Sequence, residues 1–276
     1  MIPKRRLGKT NVDVTILGLG GEGILRSYGH EREAYELINR AIDLGINYFD
    51  SAKAYAGCES YHGKALKERR KDIFLAGKSH ARDWKGAHAH LRDTLKTMNT
   101  DHLDLWQMHD MRTERDIQEV ISPRGALEAF LEAKKDGLAR FIGVTGHENP
   151  SILKRMIELA DFDCVLMPVN PAEPHYQSFI KDLLPYALEK EMGVIAMKIY
   201  IRGMASRIPG IDTIESFYRF ALSHRVATAT IGCDTIAQLE ENVRHAWSFA
   251  PMKEAEMKGL TELVAPYARQ LLYYKP

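Results

Sequence analysis

Thr15-Ile16-Leu17-Gly18-Leu19-Gly20-Gly21-Glu22-Gly23 is an apolar run that breaks into glycines, and the residues after it settle the architecture. Ala34, Leu37, Ile38, Ala41 and Leu44 fall on one helical face, Gly45 is the expected stop, and a second apolar run, Ile46-Asn47-Tyr48-Phe49, comes directly after. Strand, helix, strand in this order predicts a parallel sheet. Glycines at 18, 20 and 23 formally satisfy G-x-G-x-x-G, the phosphate turn of an open doubly wound sheet. The acidic residue that such a motif needs about 20 positions on is poorly placed, so the match is weak.

The same rhythm recurs along the chain. Apolar runs follow at Ile73-Phe74-Leu75-Ala76, Leu103-Asp104-Leu105-Trp106-Gln107-Met108, Phe141-Ile142-Gly143-Val144, Cys164-Val165-Leu166-Met167, Gly193-Val194-Ile195-Ala196-Met197 and Ala227-Thr228-Ala229-Thr230-Ile231. Asp83 is placed to cap a helix carrying Ala87, Leu91, Leu95 and Met98, and Lys135-Asp136-Gly137 ends another. Eight strands exceed the usual six of the open fold and predict an α/β closed (β/α)8 TIM barrel. Arg6-Leu7-Gly8-Lys9-Thr10-Asn11-Val12 reads as an N-terminal capping hairpin at the barrel floor, turning near Gly8-Lys9, and a C-terminal helix and tail follow the eighth strand. No low-complexity linker divides the chain, so residues 1–276 read as a single domain.

At 276 residues, 45% hydrophobic and 27% charged, the chain has an ordinary globular composition and a sizeable core. A net charge of +1 without like-charge runs disfavours nucleic acid and anionic lipid as partners. No stretch approaches the roughly 18 apolar residues of a membrane span, and the expected location is cytoplasmic. Cys58, Cys164 and Cys233 lie far apart and form no C-x-x-C pair, so free thiols are expected. His88 and His90 are two apart on a helix and share no face, and no metal set is expected.

Barrel enzymes carry their chemistry at the carboxyl ends of the strands. Asp50 follows the second run with Tyr55 in the loop beyond it, Lys78 follows the third run and His109 the fourth. Singly, these four read as a helix cap, a surface ring, a solvated charge and a strand-end histidine. Together they converge on one barrel mouth. Asp50-Ser51-Ala52-Lys53-Ala54-Tyr55, Ala76-Gly77-Lys78 and Asp104-Leu105-Trp106-Gln107-Met108-His109 resemble the active-site segments of the aldo-keto reductases, and the resemblance covers essentially the whole chain. It implies a catalytic tetrad of Asp50, Tyr55, Lys78 and His109. A phenol with a pKa near 10 is a reluctant acid, and Lys78 is expected to lower that value, with Asp50 holding the ammonium charged. His109 would hydrogen-bond the substrate carbonyl.

The resemblance extends to cofactor contacts. Thr145 falls where the family holds the nicotinamide carboxamide, with Gly146 in place of the usual asparagine, and Asn170 stands near the family's glutamine. Met197, Lys198 and Arg202 occupy the loop that folds over the pyrophosphate. Gly232, Cys233, Gln238, Glu241 and Asn242 match the adenosine-phosphate segment. The family implies NADP(H), with NAD(H) the alternative because Gly232 and Gln238 replace two cations that read a 2′-phosphate. Glu22, Ile24 and His80 are expected at the substrate pocket. Ala268, Leu271 and Tyr274 stand where a ferredoxin-tailed branch carries cluster cysteines, so no iron–sulfur cluster is expected there. These residues imply reduction of a small aldehyde or ketone, with a cofactor-bound redox-sensing regulatory subunit and a Schiff-base aldolase using Lys78 or Lys198 as alternatives. Oligomeric state is not readable from the sequence.

Overall fold

A two-stranded antiparallel hairpin, β1 (Lys4–Arg6) and β2 (Asp13–Thr15), precedes eight parallel strands in the computed structural model, which describes all 276 residues. The eight are β3 (Leu17–Gly23), β4 (Tyr48–Asp50), β5 (Phe74–Ser79), β6 (Leu103–Met108), β7 (Ala139–Thr145), β8 (Cys164–Pro168), β9 (Gly193–Met197) and β10 (Thr228–Cys233). They close in the order β10-β3-β4-β5-β6-β7-β8-β9, so the closed barrel holds and the open sheet is excluded.

The helices form where the apolar spacing places them. In the helix Glu31–Asp43, Ala34, Leu37, Ile38 and Ala41 are buried, and Glu31 and Glu33 lie in the first turn, where the helix dipole favours them. Asp83 caps the helix Trp84–Thr97 by accepting from the Gly86 amide at 2.9 Å. Trp106 points outward from β6 and stacks on Phe130 of the neighbouring helix, ring centroids 3.7 Å apart.

Two details differ from expectation. Asn47 belongs to no strand, because its side chain accepts from the Thr15 amide at 2.7 Å and donates to the Asp13 carbonyl. β4 therefore starts later and carries Asp50 as its last residue. The hairpin turns through a short 3-10 helix, Gly8–Thr10, rather than a tight two-residue turn, and Asn11 leaves it with φ of 59°. Leu7 and Val14 from this hairpin plug the barrel floor, packing with Tyr48, Phe74, Leu105, Leu166 and Ile195 of the interior. The opposite end is left free for polar groups.

Beyond β10 come the helices Ile236–Trp247, Glu254–Val264 and Ala268–Leu271, and the tail Tyr273–Lys275 folds back against the loop after β8. No helix is long and apolar enough to cross a membrane.

Candidate active site

The strand ends of β4, β5 and β6 are extended by loop hydrogen bonds that fix the polar residues. The Ser51 amide donates to the Ala76 carbonyl at 2.8 Å, the Lys53 amide to Lys78 at 3.0 Å, and the His109 amide to Ser79 at 2.8 Å. Tyr55 sits in a turn between β4 and the helix Cys58–Leu66, its amide donating to the Ala52 carbonyl.

Lys78 reaches Asp50 at 2.5 Å and also donates to the Ser51 carbonyl at 2.7 Å, with both side chains nearly inaccessible at 1% and 5%. Burial pushes the Asp50 carboxyl up and the Lys78 ammonium opposes it. The Tyr55 ring lies between two cations, with the Lys78 ammonium and the Arg26 guanidinium each 4.9 Å from its centroid. His109 meets the ring edge-on at 5.9 Å. All four tetrad positions are thus brought together.

One expectation is corrected. The Tyr55 phenol is held well above its ordinary value, first by burial and then by the charges of Asp50 and Glu22, with Arg26 the opposing cation. The Lys78 ammonium lies 4.9 Å from the ring centroid and is engaged by Asp50, so the support it offers a phenolate is outweighed in the resting site by burial and the two carboxylates. His109 is pushed well below its usual range by burial and by Lys78, which makes it a neutral imidazole, and its Nδ1 is buried without a partner.

A cavity of about 560 Å³ opens beside the tetrad and is lined by Asp50 and Tyr55 at one end. Of the residues expected to meet a cofactor, Met197, Lys198, Arg202, Gly232, Gln238, Glu241 and Asn242 line it, as does Glu22 from the substrate set. Gly21 and Gly232 shape its wall. A Cβ on Gly21 would meet Tyr55 Cδ2 at 2.8 Å, and one on Gly232 would meet Glu22 Cβ at 2.7 Å. Gly21 on β3 and Gly232 on β10 thus serve close packing.

The structure places the other expected residues off the wall, each for a local reason. Thr145 is fully buried, its hydroxyl accepting from the Asp110 amide at 2.9 Å. Asn170 is buried too and donates to the Lys198 carbonyl and the Tyr274 hydroxyl. Cys233 lies beneath the surface and accepts from Asn242 through its Sγ at 3.4 Å. Ile24 packs on the core, and the exposed His80 ring lies 4.8 Å from His90 instead.

Several lining residues escape sequence reading. His147 lines the cavity, its ring 6.4 Å from that of His109 and its Nδ1 buried without a partner, and burial with the nearby Lys198 pushes it down to about 4. Tyr200 donates to Asn242 Oδ1 at 2.9 Å, tying the loop after β9 to the helix Ile236–Trp247. Gly146-His147, directly after a strand end, was the signal that could have found the first.

The residues fit a dinucleotide. Lys198 and Arg202 line the wall with no carboxylate within ion-pair distance, and the cavity reaches the N-terminal turn of the 12-residue helix Ile236–Trp247, where phosphate is favoured. Its volume is that of a small-molecule site.

Comparison with known proteins agrees with this geometry. The sequence profile of the aldo/keto reductase family matches residues 16–208. The oxidoreductase YqkF of Bacillus subtilis is 29% identical over 228 residues, covering 77% of this chain and 70% of that protein. The L-galactose dehydrogenase of Arabidopsis thaliana is 25% identical, covering 95% of this chain and 91% of its own. An aldo-keto reductase from Bacillus halodurans in its holo form superposes with a TM-score of 0.80 at 25% identity, covering 95% of this chain and 96% of that one. The fold is shared as well by an aldo-keto reductase from Klebsiella pneumoniae in complex with NADPH, at a TM-score of 0.76 and 20% identity, with 95% of each chain covered.

Proposed function

The chain belongs to the aldo/keto reductase family, and on that premise we propose that Asp50, Tyr55, Lys78 and His109 perform its NAD(P)H-dependent reduction of an aldehyde or ketone carbonyl. The observation that carries this reading is the Tyr55 ring flanked by Lys78 and Arg26 at the end of a cavity whose wall presents two unpaired cations. When bound, a nicotinamide cofactor supplies the hydride.

Tyr55 gives the carbonyl oxygen its proton. The phenol rests protonated because burial and two carboxylates oppose its ionisation. The phenolate left after transfer is met by the Lys78 and Arg26 charges already in place, so stabilisation arises where charge develops. Asp50 orients Lys78 and is its counterion. Neutral His109 donates an N–H to the substrate oxygen, and a neutral imidazole is the state its surroundings favour. Lys78 is engaged by Asp50 and the Ser51 carbonyl, which argues against its use as a Schiff-base amine.

Lys198 and Arg202 would hold the pyrophosphate, and Gln238, Glu241 and Asn242 the adenosine. NADP(H) is the proposed cofactor. One observation favours NAD(H): Asp234 and Glu241 line the same end, and neither Gly232 nor Gln238 offers a cation to a 2′-phosphate. The test is calorimetric titration with NADPH and with NADH, followed by oxidation of the tighter one in the presence of a panel of aldehydes and ketones. Binding followed by turnover on at least one carbonyl is expected. Absence of both would overturn the proposal.

A further inference from the structure

The loop after β9 is held in an unfavourable backbone state. Lys198, Ile201 and Arg202 have φ of 60°, 52° and 53°, left-handed values that L side chains avoid. Contacts from outside the loop must hold it there. On one side these are the Tyr200–Asn242 hydrogen bond and the buried Ile199 and Ile201; on the other they come from the tail. Lys275 is fully buried and donates to Glu173 Oε2 at 2.7 Å and to the Tyr176 and Gln177 carbonyls. The Tyr274 hydroxyl donates to Glu173 Oε1 at 2.7 Å and accepts from Asn170, whose amide also donates to the Lys198 carbonyl. Tyr273, 40% exposed, meets both of the loop's cations: Arg202 Cζ lies 5.3 Å from the ring centroid, and Lys198 Nζ donates to the Tyr273 hydroxyl at 3.5 Å.

From this arrangement we infer that the tail Tyr273–Lys275, fastened by Glu173, is a clasp that holds Lys198 and Arg202 at the cavity edge, and that Tyr273 is the positioning residue that sets affinity for the cofactor's paired phosphates. The inference rests on the function proposed above. The ring beside Arg202 and the long hydrogen bond to Lys198 each hold a cation weakly and leave N–H groups free, so phosphate meets two groups whose rotamer freedom is already reduced. Tyr273 touches no reacting atom. Its effect therefore falls on binding and not on the chemical step.

The test compares the wild-type protein with Tyr273→Ala and Tyr273→Phe, whose exposed position leaves the thermal midpoint in place. NADPH and NADH affinities are measured directly, and ADP and adenosine by competition. Tyr273→Ala is expected to weaken the dinucleotide and ADP about tenfold, leave adenosine unchanged and leave kcat at saturating cofactor intact, while Tyr273→Phe stays within about twofold. Tight wild-type binding with an unchanged or tighter Tyr273→Ala would overturn the clasp alone, as would an equal loss for adenosine. A wild-type protein that binds no dinucleotide would overturn the proposed function and the clasp with it.

Discussion

Two buried lysine–carboxylate pairs, Lys78–Asp50 and Lys275–Glu173, are built alike and sit in different settings. The distances are 2.5 and 2.7 Å, and each ammonium is completed by backbone carbonyls. Burial pushes both carboxyls up, and in both the lysine opposes it. Lys78 lies against the Tyr55 ring, which together with Asp50 lines a cavity, whereas Lys275 lies against Phe179 and fastens a tail. On the proposed mechanism, the same chemistry serves proton transfer at one place and anchoring at the other. The surroundings of the ion decide which.

Breaking each pair from the lysine side separates these roles. Lys78→Met should lower kcat by about 10²–10⁴-fold, because Tyr55 loses the cation that meets its phenolate. Lys275→Met should leave kcat at saturating cofactor near wild type. It should nevertheless cost about 3–5 kcal/mol in denaturant unfolding, since it leaves Glu173 buried and uncompensated. Equal loss of kcat in both variants would erase the distinction.

Acid sharpens the contrast further. The Asp50 and Glu173 carboxyls are raised in the folded state, so protonation of either favours the fold, and neither pair makes the protein acid-labile. His62 and His147 act in the opposite sense: burial holds each at about 4, below the value of about 6.5 in the unfolded chain. Between these values the unfolded chain binds the proton first, so stability should fall as pH drops from about 6.5 toward 4. His62→Gln should flatten that slope by roughly 3 kcal/mol over the window, read from urea unfolding at several pH values. An unchanged slope would assign the acid response elsewhere.

The two pairs also differ in how far they could be read in advance. Asp50 and Lys78 stand at the ends of apolar runs, where a barrel's topology converts local pattern into position, and Tyr55 and His109 share that advantage. Glu173 and Lys275 lie about a hundred positions apart, in a 3-10 turn and a tail with no periodicity, so no local signal links them. Arg26 was hidden because it follows Gly23, whose φ of 68° turns the chain back over Tyr55. Thr145 and Asn170 illustrate the converse: each occupies the position its motif implies, yet neighbouring Asp110, Lys198 and Tyr274 take up its hydrogen bonds. Spacing locates a residue, and its partners determine which way it faces.

Tyr55→Phe tests the central claim most directly, because it removes one hydroxyl and leaves the ring against both cations. NADPH affinity and single-turnover oxidation of bound NADPH by an aldehyde are measured on the same preparation. The account predicts affinity within about twofold of wild type and a rate lower by about 10²–10⁴-fold. A variant that binds the cofactor and reduces the aldehyde at the wild-type rate would contradict it.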